Sequence, residues 1–123
     1  MPAKILIIED EADLLEIYNK KLTESNMEVV TAKDGKSGIE MANKERPNLI
    51  ILDLMLPEMH GFDVLAEIKK DDNLKDTPII ILTNLNHSLD EKKGYNLGVA
   101  EYLIKVQTDV SQLPEIIRKH LKK

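Results

Sequence analysis

The chain has 123 residues, of which 42% are hydrophobic and 32% charged, a length and composition suited to one globular domain with one sizeable core over residues 1–123. It has no cysteine, which excludes disulfides and thiolate zinc sites, and its formal net charge of −5 argues against direct nucleic-acid binding by the domain. No stretch is long enough to span a bilayer, and "MPAKILIIEDE" reaches acids too soon for a signal peptide, so a cytoplasmic domain without membrane insertion is expected.

In chain order, "KILII" (Lys4–Ile8) reads as a first strand buried on both faces, because it is nearly continuous in Ile and Leu. Leu14, Leu15, Tyr18 and Leu22 then mark one face of a helix. "MEVVTA" (Met27–Ala32) predicts an outer strand, since it carries a charge, and "GKSGIEMANKE" a weaker helix ended by Pro47. "NLIIL" (Asn48–Leu52) is the third strand, followed by a helix whose apolar face is Phe62, Leu65, Ala66 and Ile68. "PIIIL" (Pro78–Leu82) is the fourth. "NLNHSLDEKKGYNLG" after it holds two glycines and few periodic apolar residues, which predicts a marginal helix free to move. "EYLI" (Glu101–Ile104) is the fifth strand, and Val110, Leu113, Ile117 and Leu121 mark a last helix that tolerates Pro114 only near its start. The tail "RKHLKK" reads as a helix C-terminus favoured by its dipole rather than as a binding arm. Repeated strand–helix alternation predicts an α/β fold, a doubly wound parallel sheet with helices on both faces.

Ligands of such sheets bind beyond the carboxyl ends of the strands. Strand one delivers Glu9 and Asp10 there, with Glu11 following; strand three delivers Asp53, strand four Thr83, strand five Lys105. Strand two delivers only Lys33 and Asp34, as an edge strand should. Each residue alone has a plain reading: Asp10 caps a helix, Asp53 begins a turn, Thr83 caps the next helix, Lys105 is solvated. Together, clustered carboxylates invite a hard divalent cation such as Mg2+, and a lysine and a hydroxyl suit the oxygens of a transferred group. Neither a G-x-x-x-x-G-K-[ST] loop nor a G-x-G-x-x-G turn after strand one is present, which leaves phosphoryl transfer onto the protein itself, on Asp53.

"ILIIEDE", "DLMLPEMHGFDVL" with Pro57 and Gly61, "IIILT" and "EYLIK" resemble, in order, the signature segments of the bacterial two-component response regulator receiver domain. The resemblance implies a flavodoxin-like sheet in the order 2-1-3-4-5 with five helices. It implies Asp53 as phosphoacceptor, Asp10 as a direct Mg2+ ligand, Glu9 acting on the metal through water, and Met55 offering its backbone carbonyl. Thr83 and Lys105 would contact the phosphoryl group, and Tyr102 stands at the switch aromatic, burying itself as Thr83 moves inward. The implied partners are a histidine kinase or histidine phosphotransfer protein as donor, and a downstream protein on the face made by the fourth helix, fifth strand and last helix. Such a chain is a switch with no separate substrate rather than an enzyme. The alternative is a degenerate receiver acting as a phosphorylation-independent interaction module. An aspartyl phosphatase is disfavoured because position 55, where a second acid is wanted, is Met.

Two positions depart from the family pattern. Asn84 stands where a small residue usually follows the threonine; it is expected to narrow access or to add a hydrogen bond, altering phosphoryl lifetime. Val106 stands where a cis-proline usually follows the lysine, so a trans Lys105–Val106 bond and a reshaped loop are expected, since a non-proline cis bond costs about 2.5–4 kcal/mol. His60, His87 and His120 are scattered, and no metal site or catalytic base is expected from them.

Overall fold

A computed structural model describes residues 2–121; Lys122 and Lys123, which end the basic tail, lie outside the described residues. The elements alternate as β1 (Lys4–Ile8), α1 (Ala12–Glu24), β2 (Glu28–Ala32), α2 (Gly35–Glu45), β3 (Leu49–Leu52), α3 (Gly61–Lys70), β4 (Ile79–Thr83), α4 (Ser88–Asn96), β5 (Glu101–Ile104) and α5 (Leu113–His120). The strands form one parallel sheet in the order β2-β1-β3-β4-β5, as expected. No helix among the described residues is long and apolar enough to cross a membrane.

Side-chain alternation along the inner strands divides the apolar residues between two cores. Leu6, Ile8, Ile50, Leu52, Ile79 and Ile81 pack on one side with α3, whereas Ile5, Ile7, Leu49, Ile51, Ile80 and Leu82 pack on the other with α1 and α5. Strands that supply both cores have no polar face, and for that reason they read as unbroken Ile and Leu. Leu15, Tyr18 and Leu22 of α1 are buried, while Leu14 only borders the core. In α3 the buried set includes Val64, and Ala66 is half-exposed, which corrects the face expected from sequence.

Edges of three strands shift by one residue. β2 begins at Glu28, β3 at Leu49, and β4 runs from Ile79 through Thr83, so Thr83 is the last residue of its strand and not the first beyond it. Pro78 has no N–H for the ladder, but its carbonyl accepts from the Ile50 amide at 3.0 Å. Pro114 falls in the first turn of α5, where a missing N–H costs nothing.

α4 forms as expected but is thinly anchored. Gly94 is its one buried residue, while Leu89 and Tyr95 are exposed. His60 and His87 begin α3 and α4, each accepting a backbone N–H two residues on at Nδ1, at 3.0 and 3.1 Å. His120 instead sits 2.6 Å from Glu101 Oε1, tying the end of α5 to the start of β5. All three histidines therefore have local structural partners.

Candidate functional site at the carboxyl ends of the strands

Register places the site. Ile8 pairs with Leu52, so Glu9 and Asp53 leave the sheet side by side; Thr83 pairs with Ile104, so Lys105 lies one step beyond Thr83. Alternation then sorts the side chains. Glu9, Asp53 and Lys105 continue the face of Ile7, Ile51 and Leu103, whereas Thr83 continues that of Ile81 and Tyr102.

The first group is an ion cluster. Lys105 Nζ lies 2.7 Å from Asp53 Oδ2 and 2.6 Å from Glu9 Oε1, with Glu11 Oε1 at 3.7 Å. The Asp53 carboxylate is filled on both sides, since Oδ1 also accepts the Met55 N–H at 3.1 Å. Glu9 Oε2 accepts the Glu11 N–H at 3.0 Å. Lys105, Glu9 and Asp53 side chains are at most 7% exposed, whereas Asp10 is exposed beside them. Burial alone would lower the Lys105 pKa, but its hydrogen bonds to Asp53 and Glu9 raise it above the usual lysine range. Glu9 is pushed up, chiefly by burial, against the opposing pull of Lys105.

Glu9, Asp10 and Asp53 each present a carboxylate oxygen within 4.8 Å of the others. Three hard oxygen donors, one open to solvent, fit a small divalent cation that keeps several waters, and they fit Mg2+ better than a soft metal. The cluster sits against an open cavity of about 700 Å³ lined by Asp10, the Leu54–His60 loop and Leu85. In that loop Glu58 adopts φ 66° and the Met59 N–H donates to the Pro57 carbonyl at 2.7 Å, a γ-turn of the rarer, positive-φ kind. Gly61 closes the loop by lying against the Asp53 carbonyl and the Leu54 backbone, with its N–H on the Leu54 carbonyl at 2.9 Å.

The second group faces α4. Thr83 is fully buried and its Oγ1 accepts the Leu85 N–H at 3.3 Å. Tyr102 donates its hydroxyl to the Leu85 carbonyl, its backbone N–H donates to the Tyr95 hydroxyl at 3.1 Å, and its ring lies against Gly94. Burial raises the Tyr102 pKa to about 12. Tyr102 is only 7% exposed and packs inward with Ile81 and Val99.

The loop departures also resolve. No cis peptide bond occurs among the described residues, so Lys105–Val106 is trans, and Lys105–Gln107 forms a short 3-10 turn. Asn84 Oδ1 accepts the Val106 N–H at 3.2 Å, the extra hydrogen bond that was one of its two expected effects. Leu85 escapes sequence reasoning because it acts through its backbone, which leaves no signature in residue type, whereas Glu11, placed by the sequence only as following Asp10, reaches Lys105 at 3.7 Å.

A family model described as the response regulator receiver domain matches residues 5–118. A probable transcriptional regulator, ycf27, of Galdieria sulphuraria is 41% identical over 102 residues, 83% of this chain and 39% of that protein. The chain thus spans about two fifths of the length of such curated relatives. Among solved structures, the chemotaxis protein CheY4 of Vibrio cholerae superposes with a TM-score of 0.91 at 27% identity, covering 98% of this chain and 100% of that one. The Mn2+-bound form of response regulator Rcp1 gives a TM-score of 0.84 at 32% identity, covering 97% and 94%.

Proposed function

The chain belongs to the response regulator receiver domain family of two-component systems, and on that premise we propose that it is a phosphorylation-controlled switch with Asp53 as its phosphoacceptor. The observation that carries this reading is the buried Asp53 carboxylate held between Lys105 and the Met55 amide beside two further acids. A donor histidine kinase or phosphotransfer protein presents a phosphohistidine. An Asp53 carboxylate oxygen attacks phosphorus, the P–N bond breaks as the O–P bond forms, and the imidazole departs with the electron pair of the broken bond and is protonated by solvent. Hydrolysis of the acyl phosphate resets the carboxylate.

Mg2+ held by Asp10, Asp53 and Glu9, with the Met55 carbonyl as a further ligand, would supply charge neutralisation between donor and acceptor oxygens. Lys105 already lies against Asp53 and offers its ammonium to the oxygens of the arriving group. Thr83 offers a hydroxyl donor from the neighbouring strand end. Its movement toward the phosphoryl group withdraws Oγ1 from the Leu85 amide, and Leu85 in turn holds the Tyr102 hydroxyl. Tyr102 floors α4 at Gly94, so the signal passes from Thr83 through Leu85 to a thinly anchored helix. The output surface is the α4–β5–α5 face, where Leu89 and Tyr95 are exposed, and its occupant is a downstream protein. Two charge-assisted hydrogen bonds of about 1.5–3 kcal/mol each move a minor state of a few per cent to dominance, given that 1:99 to 99:1 takes about 5.5 kcal/mol.

Amide NMR of the protein with Mg2+ and beryllium fluoride, a phosphoryl mimic, tests the switch. Shifts are expected at Asp53, Thr83, Leu85 and along α4, with the Tyr102 ring remaining inward. Shifts confined to the Leu54–His60 loop would contradict transmission to α4.

A further inference from the structure

The two departures from the family pattern meet in one hydrogen bond. Asn84 Oδ1 accepts the Val106 N–H at 3.2 Å although the residues are 22 apart in sequence. β4 and β5 pair in register up to Thr83 opposite Ile104, so both residues lie just past the last rung. There the side-chain carbonyl of Asn84 does what a backbone carbonyl does inside the ladder, accepting an N–H from the neighbouring strand.

Each half is useless without the other. A small side chain at position 84 has no acceptor that reaches across, and a proline at position 106 has no N–H to donate. Val106 is 78% exposed, so burial of its side chain does not account for where its backbone sits. The peptide held by this extra rung is the one that follows Lys105, whose ammonium bridges Asp53 at 2.7 Å and Glu9 at 2.6 Å.

We infer that Asn84 is a positioning residue for Lys105, replacing a rigid proline with a side-chain rung that fixes the backbone from which Lys105 reaches Asp53. The role rests on the reading of Asp53 as phosphoacceptor. The same rung ties the loop after Thr83 to the loop after Lys105, so the two groups that meet the phosphoryl oxygens are held in one frame. A donor of this kind needs such a frame because misplacement of a reacting group by an ångström costs on the order of 10²-fold in rate.

Three changes to the full chain separate the rung from other effects. Asn84→Ala removes the acceptor, an ester in place of the Val106 amide removes the donor while also weakening the Lys105 carbonyl that accepts the Thr108 N–H at 3.2 Å, and Val106→Ala keeps the donor. The readouts are the maximal rate and half-saturating acetyl phosphate concentration for phosphorylation at saturating Mg2+, and hydrogen exchange of the Val106 amide without phosphate. Asn84→Ala and the ester are each expected to lower the maximal rate about three- to tenfold, the worth of one hydrogen bond, and the half-saturating concentration stays unchanged. The doubly altered chain falls no further than either alone, and Val106→Ala matches the wild type. The Val106 amide exchanges faster in Asn84→Ala. Unchanged or faster phosphorylation, additive losses, or equal Val106 exchange overturns the role. A wild-type chain that exchanges Val106 slowly yet never accepts a phosphoryl group rejects the phosphoacceptor reading, and this role with it.

Discussion

Lys105→Met is expected to destabilise the fold by about 3–5 kcal/mol at neutral pH in metal-free buffer, because it leaves two buried carboxylates without their cation. Asp53 Oδ2 and Glu9 Oε1 each lie within 2.7 Å of the Lys105 ammonium. The loss depends on pH in a direction set by both groups. Lys105 has its pKa raised above 10.5 in the fold, so its contribution is complete below 10.5 and disappears as pH rises through the higher folded value. Glu9 is raised above 4.5; its protonated form is favoured in the fold, and that advantage is complete below 4.5 and lost as pH rises through the folded value. Without the lysine Glu9 moves higher still, so the variant recovers on acidification. Urea unfolding of both proteins should therefore show the largest gap around neutrality, closing toward acid and toward strong alkali. A gap independent of pH would mean that the lysine stabilises by packing its methylenes rather than by charge.

Gly61→Ala is expected to damage stability and chemistry by separable amounts. A Cβ at this position would lie 2.5 Å from Leu54 Cα and 2.6 Å from the Asp53 carbonyl oxygen, both backbone atoms that no rotamer change can move away. Overpacking of this kind costs about 1–3 kcal/mol. The strain falls on Asp53, the proposed nucleophile, whose displacement by even an ångström is expected to lower phosphorylation on the order of 10²-fold. Denaturant midpoints and acetyl phosphate rates, measured on the same preparation, distinguish the two. A folded variant with wild-type phosphorylation would show that the α3 end of the loop yields and Asp53 does not.

The fold was legible where burial is two-sided. The Ile and Leu runs of β1, β3 and β4 feed both cores, and the strand–helix alternation around them marks them as inner parallel strands. The acids were legible because they interrupt those runs at matching ends, which the register then sets side by side. The inward packing of Tyr102 was not legible, since it depends on Gly94 and the Leu85 carbonyl, neither of which local sequence reports. Val64 took the place of Ala66 on α3 because larger apolar side chains win a half-turn ambiguity of face. The Asn84–Val106 rung links two positions that each looked merely irregular, and only the pairing of β4 with β5 makes them complementary.

Intact mass after incubation with acetyl phosphate and Mg2+, for the wild type and Asp53→Asn side by side, tests Asp53 as the phosphoacceptor. One phosphoryl adduct is predicted on the wild type and none on the variant. An unmodified wild type that nevertheless binds Mg2+ would contradict the account and point to a phosphorylation-independent interaction module, and an adduct on both would place the acceptor elsewhere.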